Sequence, residues 1–168
     1  MANQQSMCTS FLGQLMTATH NFGVAPTRGT SAADTFKAAL YTATSGSTTT
    51  TCVCASATAY NATINGVAEV SGTGYSAGGI AVTNATAPSS TNSSVTAGVG
   101  YWTPSASLSY SGVTLTTAFD TVLIYNSSQS NAAVSVHTFG SQTITAGTFT
   151  LTMPSNTTSS ALLRLSTT

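Results

Sequence analysis

Residues 119–154 read FDTVLIYNSSQSNAAVSVHTFGSQTITAGTFTLTMP, and this stretch decides the fold class because three β-like runs separated by turn clusters nearly fill it. In FDTVLIYN and AAVSVHTF the apolar side chains recur at period two or fill the run, as they do in strands buried on one or both faces. SSQSN between them is short and polar, which suits a hairpin loop. The stretch therefore predicts a small antiparallel sheet. Its expected core comprises Leu123, Ile124, Val134, Val136, Phe149 and Leu151, joined by Leu163 and Leu165 of the last run, ALLRL, which is placed inside a sheet.

Outward from that sheet, further runs such as TFKAALYT (35–42), CVCASATAY, IAVTNATA (80–87), VTAGVGYWT and LSYSGVTLT are separated by turn residues. TFKAALYT alternates as a half-buried strand does, and 43–51 and 88–94 read as loops. Roughly eight short runs at ten-residue intervals predict a mainly β chain, a single β-sandwich of jelly-roll or Ig-like kind over 35–168. Residues 1–34 form the remainder, an N-terminal helix or arm and a loop. There Thr9 or Ser10 caps one short amphipathic helix whose stripe is Phe11, Leu12, Leu15, Met16 and Thr19, ending at Asn21-Phe22-Gly23. Such a stripe either closes the end of its own sheet or docks on a neighbouring subunit. Glycines at 66, 72, 74, 78 and 79 exclude a helix there and mark tight turns or close backbone approach. The GTG within them lacks the strand-to-helix setting of a dinucleotide site.

The segments LIYNSS, NAAVSV, FG, TITAGTFTLTMP and LLRL, with SFLGQLMTATHNF, TFKAALYTATS and EVSGTGYSAGG upstream, resemble a group of tailed-bacteriophage structural proteins. The resemblance spans most of the chain and is weaker from Ala85 to Leu115. It implies a building block of a virus particle, assembled in the host cytoplasm and carried in the virion, without saying which part. It marks Glu69, Val70, Ser71, Gly72, Thr73, Gly74 and Tyr75 as a structural signature.

Charge points the same way independently. Arg28, Lys37 and Arg164 are the only Lys or Arg residues, Asp34, Glu69 and Asp120 the only carboxylates, and the net charge of the 168 residues is zero. A surface whose polarity rests on Ser, Thr, Asn and Gln has little electrostatic defence against self-association, so membership of an assembly suits it. The expected partners are further copies of the chain and a major capsid protein or other virion proteins. Three scattered cations cannot form a phosphate-binding patch, which argues against duplex nucleic acid. No run approaches the roughly 18 apolar residues that span a bilayer, and 1–16 lack the pattern of a secretory signal.

Catalytic chemistry is not expected. His20 and His137 are the only imidazoles, no nucleophile elbow is expected, and three separated acids make a glycosidase pair improbable. Asp120 and His137 are expected to share a cross-strand hydrogen bond. Cys52 and Cys54 lie on one face of an extended run, where they cannot easily bridge, and with Cys8 they provide no metal set. No cofactor, metal or small-molecule substrate is expected. Sequons at Asn61, Asn84, Asn92, Asn126 and Asn156 arise by chance in this composition. Tyr101-Trp102 is read as core or interface before sugar platform, because a large aromatic surface is most useful when desolvated. Candidate interface residues are thus Phe11, Leu12, Leu15, Met16, Tyr101 and Trp102. The expectation is a noncatalytic capsid decoration or cement protein, with a tail, neck or fibre component and a carbohydrate-binding adhesin as alternatives.

Overall fold

A computed structural model describes residues 5–16, 19–22, 33–43, 56–84, 87–91 and 98–166. The chain is mainly β, and its sheets are antiparallel. The elements are β1 (Gln5–Met7), α1 (Thr9–Met16), β2 (Phe36–Thr42), β3 (Thr63–Ile64), β4 (Val67–Ala68), β5 (Ile80–Val82), β6 (Ser89–Ser90), β7 (Val99–Trp102), β8 (Leu108–Asn126), β9 (Ala132–Leu151) and β10 (Leu163–Ser166). A five-stranded sheet has the order β1-β9-β8-β2-β5, a three-stranded sheet the order β10-β7-β6, and β3 pairs with β4.

The expected hairpin is present, but it is much longer than the separate runs suggested. LSYSGVTLT and FDTVLIYN fuse into the 19-residue β8, while AAVSVHTF and QTITAGTFTL fuse into the 20-residue β9. The FGSQ segment, which reads as a turn, is absorbed as a bulge: between the pairs Phe119↔Gln142 and Thr121↔Thr138, β9 carries the extra residues. Bulges take up surplus chain without ending the pairing and add twist. The loop at 127–131 is SSQSN, with Ser130 and Asn131 at φ 50° and 58°, a conformation that Asn tolerates better than most residues.

β2 corrects a second expectation. It is not half-buried, because Ala38, Ala39, Leu40 and Tyr41 are all 0% exposed. The strand lies between β8 and β5, and both of its faces are covered. Alternation puts Phe36, Ala38 and Leu40 on one face with their ladder partners Asn126, Ile124 and Val122. Over that face Phe22 stacks on Phe36 with ring centres 4.5 Å apart and meets Trp102 at 4.7 Å and Phe11 at 5.9 Å. On the other face Tyr60 stacks on Tyr125 at 4.7 Å, and Ile64, Val67 and Val70 are buried in the same core.

The N-terminal residues belong to this packing. β1 pairs with β9 (Gln5↔His137, Met7↔Ser135), and the Cys8 N–H continues the ladder by donating to the Val134 carbonyl at 3.0 Å. By Thr19 the chain is no longer helical, short of the expected Asn21, and the Thr19 N–H closes back onto the Gln14 carbonyl at 2.9 Å. Residues 5–8 thus extend the five-stranded sheet along the edge of β9. At the other end ALLRL is an edge and not an interior strand among the described residues: β10 pairs there with β7 alone, and Leu163 is buried while Leu165 is 45% exposed. Leu151 is half-buried. The strand expected from IAVTNATA is confined to β5, and the 88–94 loop contains β6. Of CVCASATAY, residues 56–60 carry only the isolated bridge Ala59↔Ala132; Cys52, Cys54 and 44–50 lie outside the described residues.

Candidate functional site

Two polar clusters hold most of the ionisable chemistry, and the first is centred on Glu69. This residue follows β4 and bridges to Tyr41 of β2, and its own N–H donates to the Ala62 carbonyl at 2.8 Å. Its Oε1 accepts from the Tyr75 hydroxyl at 2.7 Å and the Gly78 N–H at 2.8 Å, and its Oε2 from the Tyr60 hydroxyl at 2.6 Å. The Tyr75 hydroxyl accepts the Leu40 N–H at 3.0 Å, and Tyr125 and Tyr110 donate to the Gly78 and Ala38 carbonyls, each at 2.8 Å. Burial, reinforced by the Glu69 charge, pushes the pKa of all four phenols up, so they remain protonated donors. A carboxylate with both oxygens engaged this way is a clamp on the 56–79 segment.

The glycines complete the clamp. Gly79 has φ +71°, and a Cβ there would overlap the Ala38 carbonyl; a Cβ at Gly72 would overlap that of Thr114. The segment EVSGTGYSAGG (69–79) thus combines a carboxylate that ties with glycines that lie flat on the backbones of β2 and β8. Within it Gly74-Tyr75-Ser76-Ala77-Gly78 does spell G-x-S-x-G, contrary to the expectation that no elbow occurs. The match is fortuitous: the segment is turn and coil leading into β5, with no strand-to-helix corner, and Ser76 is exposed.

The second cluster joins the N-terminal segment to the hairpin loop. Asp34 Oδ2 accepts from the Asn21 N–H and from Asn126 Nδ2, both at 2.7 Å, and Oδ1 accepts from Gln129 Nε2 at 3.1 Å. His20 lies between Asn126 and Gln14, with Nδ1 3.0 Å from Asn126 Nδ2 and Nε2 2.8 Å from Gln14 Oε1. Nothing in the sequence spacing announces this group, because its members come from four separate segments.

His137 does not bond to Asp120. Its Nε2 lies 3.0 Å from Ser135 Oγ, while Asp120 accepts from the Thr121 hydroxyl at 2.8 Å. The β9 bulge displaces the register, so His137 stands opposite Val122. Burial lowers its pKa from 6.5 to about 4. The unfolded chain then binds the proton more readily than the folded one, so stability is full above pH 6.5 and falls as pH drops towards 4. The loss is about 3 kcal/mol over that window. Urea titrations at pH 7.5 and 4.5 should show it, and His137→Phe should remove most of the difference; an unchanged pH dependence in that variant would exclude the assignment.

The residues expected at an interface are distributed differently. Phe11 and Trp102 are 2% and 3% exposed and are brought together through Phe22 inside the chain's own core. Trp102 Nε1 donates to Asn84 Oδ1 at 3.0 Å, and Asn84 Nδ2 donates to the Phe22 carbonyl at 3.0 Å. Leu15 and Tyr101 are half-buried, and the side chains of Leu12 and Met16 lie outside the described residues. Among the described residues no three of His, Cys, Asp and Glu are placed to hold a metal, Cys8 is buried, and no helix is long and apolar enough to cross a membrane. An open, uncharged cleft of about 270 Å³ lies between 103–107 and 153–156, where the buried Asn156 Oδ1 has no hydrogen-bond partner. Comparison with protein-family models, curated proteins and solved structures finds no match in any of the three.

Proposed function

We propose that this chain is a noncatalytic structural component of a tailed-bacteriophage virion, serving as a capsid decoration or cement subunit. The observation that carries the reading is the near absence of charge on a chain whose segments resemble such proteins: three cations and three carboxylates in 168 residues. Two of those carboxylates, Asp34 and Glu69, are spent on tying the chain's own segments together. The remaining hydroxyl and amide surface is suited to many weak, charge-independent contacts that add up over a symmetric shell. We infer a β-sandwich of jelly-roll or Ig-like kind, in which the three-stranded sheet packs on the five-stranded one. Trp102 of β7 and Phe36 of β2, with ring centres 6.0 Å apart, support that stacking. On this reading α1 is a short amphipathic helix packed on its own domain, consistent with the burial of Phe11.

The partners are the major capsid protein or other virion proteins, and further copies of the chain. A tail, neck or fibre component is the second placement, since the same neutral surface serves any symmetric assembly. Burial of Trp102 weighs against a carbohydrate-binding adhesin built on that ring. Purified particles should carry the chain stoichiometrically, in hundreds of copies for a capsid position and far fewer for a tail or neck. About 1 M salt should not release it, because exposed ion pairs are what such salt screens. Gel densitometry of washed particles measures both, and release by salt alone would overturn the charge-free interface.

A further inference from the structure

We propose that Asn126 holds His20 in its neutral form, and that protonation of His20 breaks this tie and loosens the hold of residues 19–22 on the end of β8. This goes beyond the virion reading and does not depend on it. Asn126 is 0% exposed, at the end of β8. Its amide orientation is fixed from two sides: Nδ2 faces Asp34 Oδ2 at 2.7 Å, and Oδ1 accepts the Ser128 N–H at 3.0 Å. Turning the amide over would set its oxygen against a carboxylate and its NH2 against an N–H. The second hydrogen of Nδ2 is thereby aimed at His20 Nδ1, 3.0 Å away, which must accept it. The ring proton then sits on Nε2 and donates to Gln14 Oε1 at 2.8 Å.

A second proton on Nδ1 would place N–H against N–H. The carboxylate of Asp34 is the only acceptor of opposite charge facing the ring among the described residues, and it is reached only by displacing Asn126. The other groups packed there are neutral: Gln14 from α1, the Phe11 and Phe22 rings at 4.9 and 6.1 Å, and Asn126 itself. Burial lowers the His20 pKa and Asp34 opposes this in part, in keeping with a site built for the uncharged ring. When the Asn126 bond breaks, the Asn21–Asp34 hydrogen bonds and the Phe22 contacts are among the ties left to residues 19–22, so their hold is weakened and not abolished, while the far end of the segment stays pinned by β1.

Hydrogen exchange on the intact chain, corrected for the intrinsic effect of pH, tests this. Between pH 7.5 and 5, amide protection over residues 19–22 should fall severalfold, because one of their ties is lost when the ring takes a proton. His20→Gln should flatten that fall, whereas His137→Phe should keep it. An equal fall in His20→Gln, or none in the wild type, overturns the proposal. Nitrogen NMR of the unsubstituted protein at pH 7.5 provides a check that needs no variant: His20 should be the Nε2–H tautomer, and an Nδ1–H ring would also overturn it.

Discussion

Deleting residues 1–21 unfolds the protein. The truncation removes Phe11, 2% exposed, and Cys8, 0% exposed, and it strips β1 from the Ser135–His137 edge of β9. Loss of one buried Phe costs about 3–5 kcal/mol, and uncovering Phe22 and breaking the Asn21–Asp34 and His20–Asn126 bonds add to it. That sum is comparable to the roughly 5–15 kcal/mol that keeps a domain folded. Far-ultraviolet circular dichroism with a urea titration measures the effect. A truncated chain of near-native stability that fails to join particles would instead make 1–21 an assembly arm.

Glu69→Ala is expected to lower stability by about 4 kcal/mol, because it leaves the Tyr60 and Tyr75 hydroxyls and the Gly78 N–H without their acceptor, each worth about 1–3 kcal/mol when buried, with Tyr60 contributing least because it is the least enclosed. Glu69→Gln should fall between the two, since its one carbonyl oxygen serves some of the three donors and its NH2 opposes another. The urea midpoint measures both, with Tyr60→Phe as a comparison that removes one donor and should cost less than either. A Glu69→Ala variant as stable as the wild type would show that the 56–79 segment is held by its glycine contacts alone.

The strands were legible wherever a single run carried its own periodicity. FDTVLIYN and AAVSVHTF contain their alternation within eight residues, and the loop joining them is polar, so the hairpin was readable. Its length was not, because a bulge at 138–142 leaves the same local composition as a turn. Leu165 looked buried by alternation with Leu163, yet alternation says nothing about whether a second layer covers that face. The Glu69 and Asp34 clusters were out of reach for another reason. Tyr60, Tyr75 and Gly78 are near Glu69 in sequence, but only the fold shows that their donors converge, and Asn126 and Gln129 are far from Asp34 along the chain. The glycine run told more, because the chemistry of glycine is local: it permitted close approach, and Gly72 and Gly79 make it.

The pairing of β1 with β9 also sets an order of events during synthesis. Gln5 and its partner His137 are about 130 residues apart, which at 5–20 residues per second separates their synthesis by roughly 7–26 s. Phe22 waits for much of that interval without Trp102, and β1 for all of it without β9, so the rings of Phe11 and Phe22 are uncovered meanwhile. Closing so distant a contact is slow by topology, so β1 is among the last of the described strands to dock. Until β9 is complete, that apolar surface is open to other copies of the chain on the same polysome.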